Sequence, residues 1–410
     1  MTAVFVFNIL VGIIILNYLK ERVLSFFNAR HFNDELPLEL RDVYDATEYK
    51  KSQNYKKTNY DFSIYSTSFS IALTLLFFFF QGFAWVDEWV RSFTTNEILL
   101  TLSYFGILFF ASDLLNMPFS YYKTFAIEQE FGFNKSTKKI FFIDRLKGWL
   151  LAVLLGGPLL ALIAWFYLQL GDQFWLFTWG VITTFTLFMN LFYSSLVVPL
   201  FNKQTPLGNG ELKIRLEEFA RNIGFQLDNI FVIDGSKRST KANAYFSGFG
   251  SKKRIVLYDT LINDLTIEEI VAVFAHEVGH YKRKHIIFNL IASIILTGFT
   301  LYILSLLIGN PLLSEALNIQ TPSFYIGLIT FSILYSPISE LTGLVMNFIS
   351  RTFEYQADDF AKEQVNAEDL ISSLKKLSKN SLSNLTPDKA TVFMYYSHPT
   401  LLERIRNLRK

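Results

Sequence analysis

Residues 276–308 read HEVGHYKRKHIIFNLIASIILTGFTLYILSLLI, a His-Glu-x-x-His motif followed, from Ile286 to Ile308, by 23 residues without a charged side chain. A hydrocarbon core about 30 Å thick is crossed by roughly 20 apolar residues in a helix. A candidate metal-binding helix therefore runs directly towards a membrane span. Working outward, six more blocks of similar length appear: Ala3 to Leu19, Ile64 to Val86, Ile98 to Asn116, Trp149 to Leu170, Phe174 to Val198 and Phe324 to Phe348. The seven blocks together hold only two charged side chains, Asp113 and Glu340. The expectation is a predominantly α, seven-span membrane protein.

The distribution of cations supports that count. With seven crossings, the loops on one side (residues 20–63, 117–148, 199–285 and 349–410) carry 37 of the 38 Lys and Arg residues, and the other side carries Arg91 alone. Basic residues are retained on the cytoplasmic face. This puts the N-terminus outside and the C-terminus in the cytoplasm; dropping a span would scatter the charges. The first block reads as a retained span, because Met1-Thr2-Ala3-Val4 has no basic n-region and Leu16-Asn17-Tyr18-Leu19 offers no small-residue cleavage site.

Composition narrows the function. Hydrophobic residues make up 51% of the 410, and there is no cysteine. Disorder, a disulfide-stapled secreted fold, thiol catalysis and Cys-ligated metal are excluded together. A net charge of +2 gives no reason to expect nucleic acid as a partner. The bilayer is the partner that the composition demands.

Two cytoplasmic segments are long enough to fold, and the last two spans separate them in sequence. The organisation expected is spans one to five with their loops in residues 1–198, a first catalytic part in 199–285, spans six and seven in 286–348, and a second catalytic part in 349–410. In the first part Asn229 to Asp234, Ala242 to Phe249 and Arg254 to Asp259 read as strands, punctuated by Asp234-Gly235 and Gly248-Phe249-Gly250. Thr266 followed by Glu269 is a capping box that starts the next helix.

That helix carries His276-Glu277-Val278-Gly279-His280. Spacing of four residues puts both imidazoles on one helical face, able to share a metal, and Glu277 sits beside it where it can take a proton from water. Small neighbours Ala275 and Gly279 permit close approach. Two neutral His and one carboxylate leave an open position on zinc, the arrangement of a hydrolase. Cysteine is absent, His31 lies far off in sequence and His285 points away from the ligand face. The best third ligand is Glu354 in Arg351-Thr352-Phe353-Glu354-Tyr355-Gln356-Ala357-Asp358. Asp358, one turn on, is placed to hold the outer nitrogen of a ligand His. By spacing alone, a pair such as Glu354 and Asp358 is more often a solvated helix face.

These residues carry a resemblance. The chain resembles the type I CAAX endopeptidases, the CAAX prenyl protease 1 family, which are seven-span membrane zinc metalloproteases. The matching stretches, in order, are EQEFGFN (Glu128 to Asn134), PLFNKQTPL (Pro199 to Leu207), KRSTKANAYF (Lys237 to Phe246), HEVGH, SRTFEYQAD (Ser350 to Asp358) and SHPTLLERI (Ser397 to Ile405). The resemblance implies one zinc ion per chain held by His276, His280 and Glu354, with Glu277 as general base and Asp358 behind the ligands. It also implies a ring of seven helices around an aqueous chamber, roofed by a gluzincin-like α+β catalytic domain. Such a chamber would accommodate Asp113 and Glu340; Asp113, three residues from its block's end, reads equally as snorkelling to the interface.

The resemblance further singles out Asn243, on a predicted edge strand able to pair with an extended peptide, whose unremarkable reading is a surface residue near a turn. It singles out His398, which Pro399 biases out of helix and which would stabilise an oxyanion, against the reading of a merely solvated loop His. For Arg404, a role steadying an acidic partner or the tetrahedral intermediate stands against a surface ion pair. Lys241 departs from the family, where eukaryotic members commonly have His.

The function expected is endopeptidase cleavage near the C-terminus of CAAX proteins, with a farnesylated peptide or protein as the family's substrate. One alternative is a broader bacterial quality-control zinc protease with no prenyl requirement, since bacteria do not in general prenylate proteins this way. The compact chain leans towards a bacterial inner membrane, with the endoplasmic reticulum as the eukaryotic counterpart. A non-catalytic channel or transporter with structural zinc is the other alternative, and Glu277 argues against it because a structural site needs no base. Oligomeric state is not legible in the sequence.

Overall fold

The computed structural model describes residues 2–225, 227, 230–247 and 254–410. Six helical stretches among them are long and apolar enough to cross a membrane: Ala3–Arg30, Ala46–Phe79, Glu97–Glu130, Lys138–Phe201, His285–Leu307 and Phe324–Gln364. The chain begins with α1 (Ala3–Arg30), α2 (Ala46–Phe79), the short α3 (Gly82–Arg91) and α4 (Glu97–Tyr122). The fourth stretch contains α5 (Lys138–Leu151), α6 (Gly157–Leu170) and α7 (Phe174–Leu196). It is not one straight rod. Gly171 adopts a φ of +52°, a left-handed value that glycine tolerates, and after a one-turn 3₁₀ segment α7 packs back against α6.

A four-stranded sheet follows, formed by β1 (Gln204–Pro206), β2 (Ile230–Ile233), β3 (Ala244–Ser247) and β4 (Arg254–Tyr258), with α8 (Glu211–Asn222) between β1 and β2. Strand order is β1-β2-β4-β3, so β3 lies at an edge, antiparallel to β4. The expected strands are present but shorter: β3 ends at Ser247, and Asn229 and Gly248 to Gly250 lie outside the described residues. Asn243 precedes β3 by one residue, a correction to its expected place within the strand. Its carbonyl still accepts from the Tyr258 amide at 3.1 Å, extending the ladder.

The remaining helices are α9 (Ile267–Lys282), α10 (His285–Leu307), α11 (Phe324–Gln364), α12 (Ala367–Asn380), α13 (Lys389–Tyr395) and α14 (Leu401–Leu408). The capping box at Thr266 and Glu269 forms as read. Glu269 also accepts from Ser372 Oγ at 2.6 Å and Lys376 Nζ at 2.8 Å, which ties the start of α9 to α12. At 41 residues and 1.5 Å each, α11 is about 60 Å long. It is apolar at first and then continues as a polar segment packed along α9. Gly279 permits that packing, since a Cβ there would lie 3.0 Å from the Ala357 Cα.

The long helices pack in a closed circuit. α1 meets α2, α4 meets α6, α6 meets α7, α7 meets α10, α10 meets α11 and α11 returns to α1; Phe62 and Phe69 of α2 contact Phe119 of α4. The carboxylates in the spans are paired. Asp113 accepts from Arg145 at 2.9 Å and from Trp149 Nε1 at 2.8 Å, and Glu340 accepts from Lys20. Arg91, the lone cation on one side of the expected topology, is bound to Asp87, Ser323 and Tyr325 where α3 meets the start of α11. That pairing gives it a structural reason for being there.

Candidate active site

The site is built where α9, α11 and the loop before α14 meet. His276 Nε2 and His280 Nε2 are 3.2 Å apart, and Glu354 places Oε1 3.2 Å from His280 Nε2 and Oε2 3.5 Å from His276 Nε2. Tetrahedral coordination with bonds of about 2.0–2.1 Å separates ligand atoms by about 3.3–3.4 Å. The three side chains therefore have the spacing of one face of such a site. Two further observations fit a cation there. The facing imidazole nitrogens need an electropositive centre between them, and Glu354 Oε2 is buried without a hydrogen-bond partner.

Behind these three side chains lies a largely buried ion pair. Asp358, fully buried, takes His276 Nδ1 at 2.9 Å and accepts from Arg404 Nε at 2.9 Å and Nη2 at 2.6 Å. The proton fixed on Nδ1 leaves Nε2 as the lone-pair nitrogen aimed at the cluster. Burial and the Arg404 cation oppose protonation of His276, yet the carboxylates of Asp358 and Glu354 beside it outweigh both and push it up to about 9. A metal at Nε2 competes with that proton. Arg404 is itself 9% exposed, so it is no surface ion pair, and its Nη1 lies 3.6 Å from Glu354 Oε2.

Glu277 faces the same cleft, and burial pushes its carboxyl up from the usual range. His398 lies at the mouth with its side chain 62% exposed, Nε2 3.3 Å from Glu354 Oε1 and Nδ1 2.9 Å from Ser397 Oγ. Asn243 is exposed on the edge side, and its Oδ1 accepts from the Ala244 amide at 2.9 Å. All eight residues singled out in the sequence come together. Asp358 sits behind the cleft, and the other seven line it, in a volume of about 440 Å³. Lys241 does not join them: its ammonium is bound to Glu128 Oε2 at 3.0 Å and Tyr55 OH at 3.2 Å, above the Phe133 ring.

The sequence reading missed two features. Leu370, Leu374 and Leu377 of α12 form an apolar wall of the cleft; their i, i+4, i+7 spacing reads the same as ordinary core packing. His285, set aside because it points away from the ligand face, touches the outer nitrogen of His280.

Comparison with known proteins gives the same answer. Residues 26–203 match the family described as CAAX prenyl protease N-terminal, five membrane helices, and residues 206–410 match Peptidase family M48. Aligned over 97% of this chain and 96% of its own length, a CAAX prenyl protease 1 homolog of Arabidopsis thaliana is 36% identical. The chain belongs to the CAAX prenyl protease 1 family. The Homo sapiens homolog is 31% identical over 96% of this chain and 93% of its own. The crystal structure of S. mikatae Ste24p superposes with a TM-score of 0.94 at 32% identity, covering 99% of both chains. As a family member, the chain is a multi-pass membrane metallopeptidase, and the channel reading falls away.

Proposed function

We propose that the chain is a zinc endopeptidase that cleaves near the C-terminus of CAAX-type, prenylated proteins at the membrane surface. The observation that carries this reading is the convergence of His276, His280, Glu354 and Glu277 in a cleft beside β3, an edge strand among the described residues. The donor set, two imidazoles and a carboxylate, is that of catalytic zinc, and the names of the relatives supply the substrate class. A lipidated C-terminus partitions into the bilayer, so a catalytic domain fixed to spans meets it at high local concentration.

When bound, zinc supplies a water acidic enough to ionise near neutral pH and a Lewis acid for the scissile carbonyl. The protein's residues do the rest. An extended peptide pairs with the edge of β3, because a carbonyl already bonded within a helix is not free to react; Asn243 orients its backbone. Glu277 takes the proton of the attacking water and delivers it to the leaving amine. His398, exposed at the mouth, donates from Nε2 to the developing oxyanion. Arg404 positions Asp358 and Glu354. Cleavage of one peptide with and without a farnesyl group, before and after chelation, tests this reading. We expect faster cleavage of the farnesylated form and loss of both with chelator; equal rates would favour the broader protease, and chelator-resistant cleavage would overturn the metal reading.

Seven crossings with the catalytic part in the cytoplasm complete the proposal. The stretch Lys138–Phe201 has 64 residues, about 96 Å at 1.5 Å each, three times the hydrocarbon thickness. Its reversal at Gly171 supports two crossings. The closed circuit of helices and the polar pairs within it support an enclosed chamber. The chain has no native cysteine, so single-cysteine labelling is clean. An impermeant reagent outside intact cells is expected to miss a cysteine at the exposed Asn209 and to reach one at the exposed Gln320; the opposite pattern would reverse the orientation.

A further inference from the structure

The outer nitrogens of the two ligand histidines are held by different chemistry. His276 has the carboxylate of Asp358, whereas His280 Nδ1 meets the Nδ1 of another histidine, His285, at 3.1 Å. His285 Nε2 in turn lies 2.9 Å from Gln356 Oε1. His285 is 3% exposed, and its ring stacks on Phe353 with centroids 4.0 Å apart and planes 5° from parallel. The backbone helps to fix this pose, since Lys284 adopts a φ of +60° between α9 and α10 and turns His285 back towards the site.

Proton counting gives the cluster a direction. A carbonyl oxygen only accepts, so His285 Nε2 carries the hydrogen that goes to Gln356. The neutral ring then has a lone pair on Nδ1, which accepts the Nδ1 hydrogen of His280. His280 Nε2 is left without a hydrogen, facing Glu354 and His276. Rotating the Gln356 amide by half a turn reverses each step: its NH₂ donates to His285 Nε2, His285 Nδ1 donates to His280 Nδ1, and a hydrogen ends on His280 Nε2. Only the first order presents a lone pair to a cation, and only that order gives Glu354 a metal to share.

We propose that Gln356 and His285 are positioning residues that select the metal-binding tautomer of His280 through a neutral two-bond relay. The inference rests on the reading that His276, His280 and Glu354 bind zinc. Residues behind a ligand histidine set its tautomer and ring orientation, and their loss commonly lowers metal affinity by about 10–100-fold. The relay differs from the Asp358 arm because it adds no charge. It also links the site to α11 twice, through Glu354 and through Gln356 two residues later.

The test separates the proton relay from packing. His285→Phe keeps an aromatic ring to stack on Phe353 but removes both nitrogens. Gln356→Glu keeps an acceptor opposite His285 Nε2, while Gln356→Met keeps length and removes it. Zinc affinity of the purified full-length chain is measured by competition with a chelator of known affinity, after thermal denaturation of the metal-free forms has shown them folded. Wild type is expected to bind one zinc; failure there would refute the underlying metal reading rather than the relay. His285→Phe and Gln356→Met are expected to bind about 10–100-fold more weakly, and Gln356→Glu within about threefold of wild type. Wild-type affinity in His285→Phe would reduce His285 to packing. Equal loss in Gln356→Glu and Gln356→Met would refute the direction of the relay. If His285→Phe fails to fold, the Gln356 pair decides alone.

Discussion

Glu277→Gln is expected to lower kcat/KM by about 10²–10⁴-fold, the usual contribution of a positioned general base. Gln has the size and nearly the shape of Glu but cannot take the proton of the attacking water. Glu277 lies outside the ligand triangle formed by His276, His280 and Glu354, so substrate binding and the metal are expected to survive. Burial already raises the Glu277 carboxyl, which brings its basicity closer to what proton transfer near neutral pH requires. Steady-state rates on one peptide decide the point. Turnover within threefold of wild type would remove Glu277 from the mechanism.

A second large effect is expected at Asp358, for a different reason. Its carboxylate is buried and accepts two hydrogen bonds from Arg404 and one from His276. Asp358→Ala leaves the largely buried Arg404 guanidinium with only a distant carboxylate contact, Glu354 Oε2 at 3.6 Å. Breaking such a pair costs about 3–5 kcal/mol, whereas replacing both members by apolar groups is often nearly neutral. Asp358→Leu combined with Arg404→Met is therefore expected to recover much of the stability. It should not recover metal affinity, because His276 Nδ1 still lacks its acceptor. Thermal denaturation with chelator present reads the first effect and metal competition the second. A fully stable Asp358→Ala, or a double variant that binds zinc normally, would contradict the role given to this ion pair.

How legible each part was follows from the range of the force that fixes it. The apolar blocks were readable because bilayer thickness imposes a length on each segment independently. His276, Glu277 and His280 were readable because a helix turn holds them together. Glu354, 74 residues beyond His280, has no such local signature: it was the best third carboxylate on offer, spacing alone favoured a solvated face, and the surrounding SRTFEYQAD stretch reversed that balance. Strand positions were right and their ends were not, as Asn243 shows, because strand ends depend on partners elsewhere in the chain. The pairings of Asp113 with Arg145 and of Glu340 with Lys20 depend on how helices meet, which hydropathy does not encode. The contact of His285 with His280 needed the left-handed turn at Lys284, a conformation unusual for a residue other than glycine.

The central claim is that three side chains hold a metal which Glu277 uses and does not bind. Zinc content of purified Glu277→Gln, determined by elemental analysis beside its turnover, tests this most directly. The expected result is one zinc per chain, as in wild type, with hydrolysis lost. A variant that has lost its zinc would make Glu277 part of the metal site, and one that keeps both zinc and wild-type turnover would place the base elsewhere; either contradicts the account.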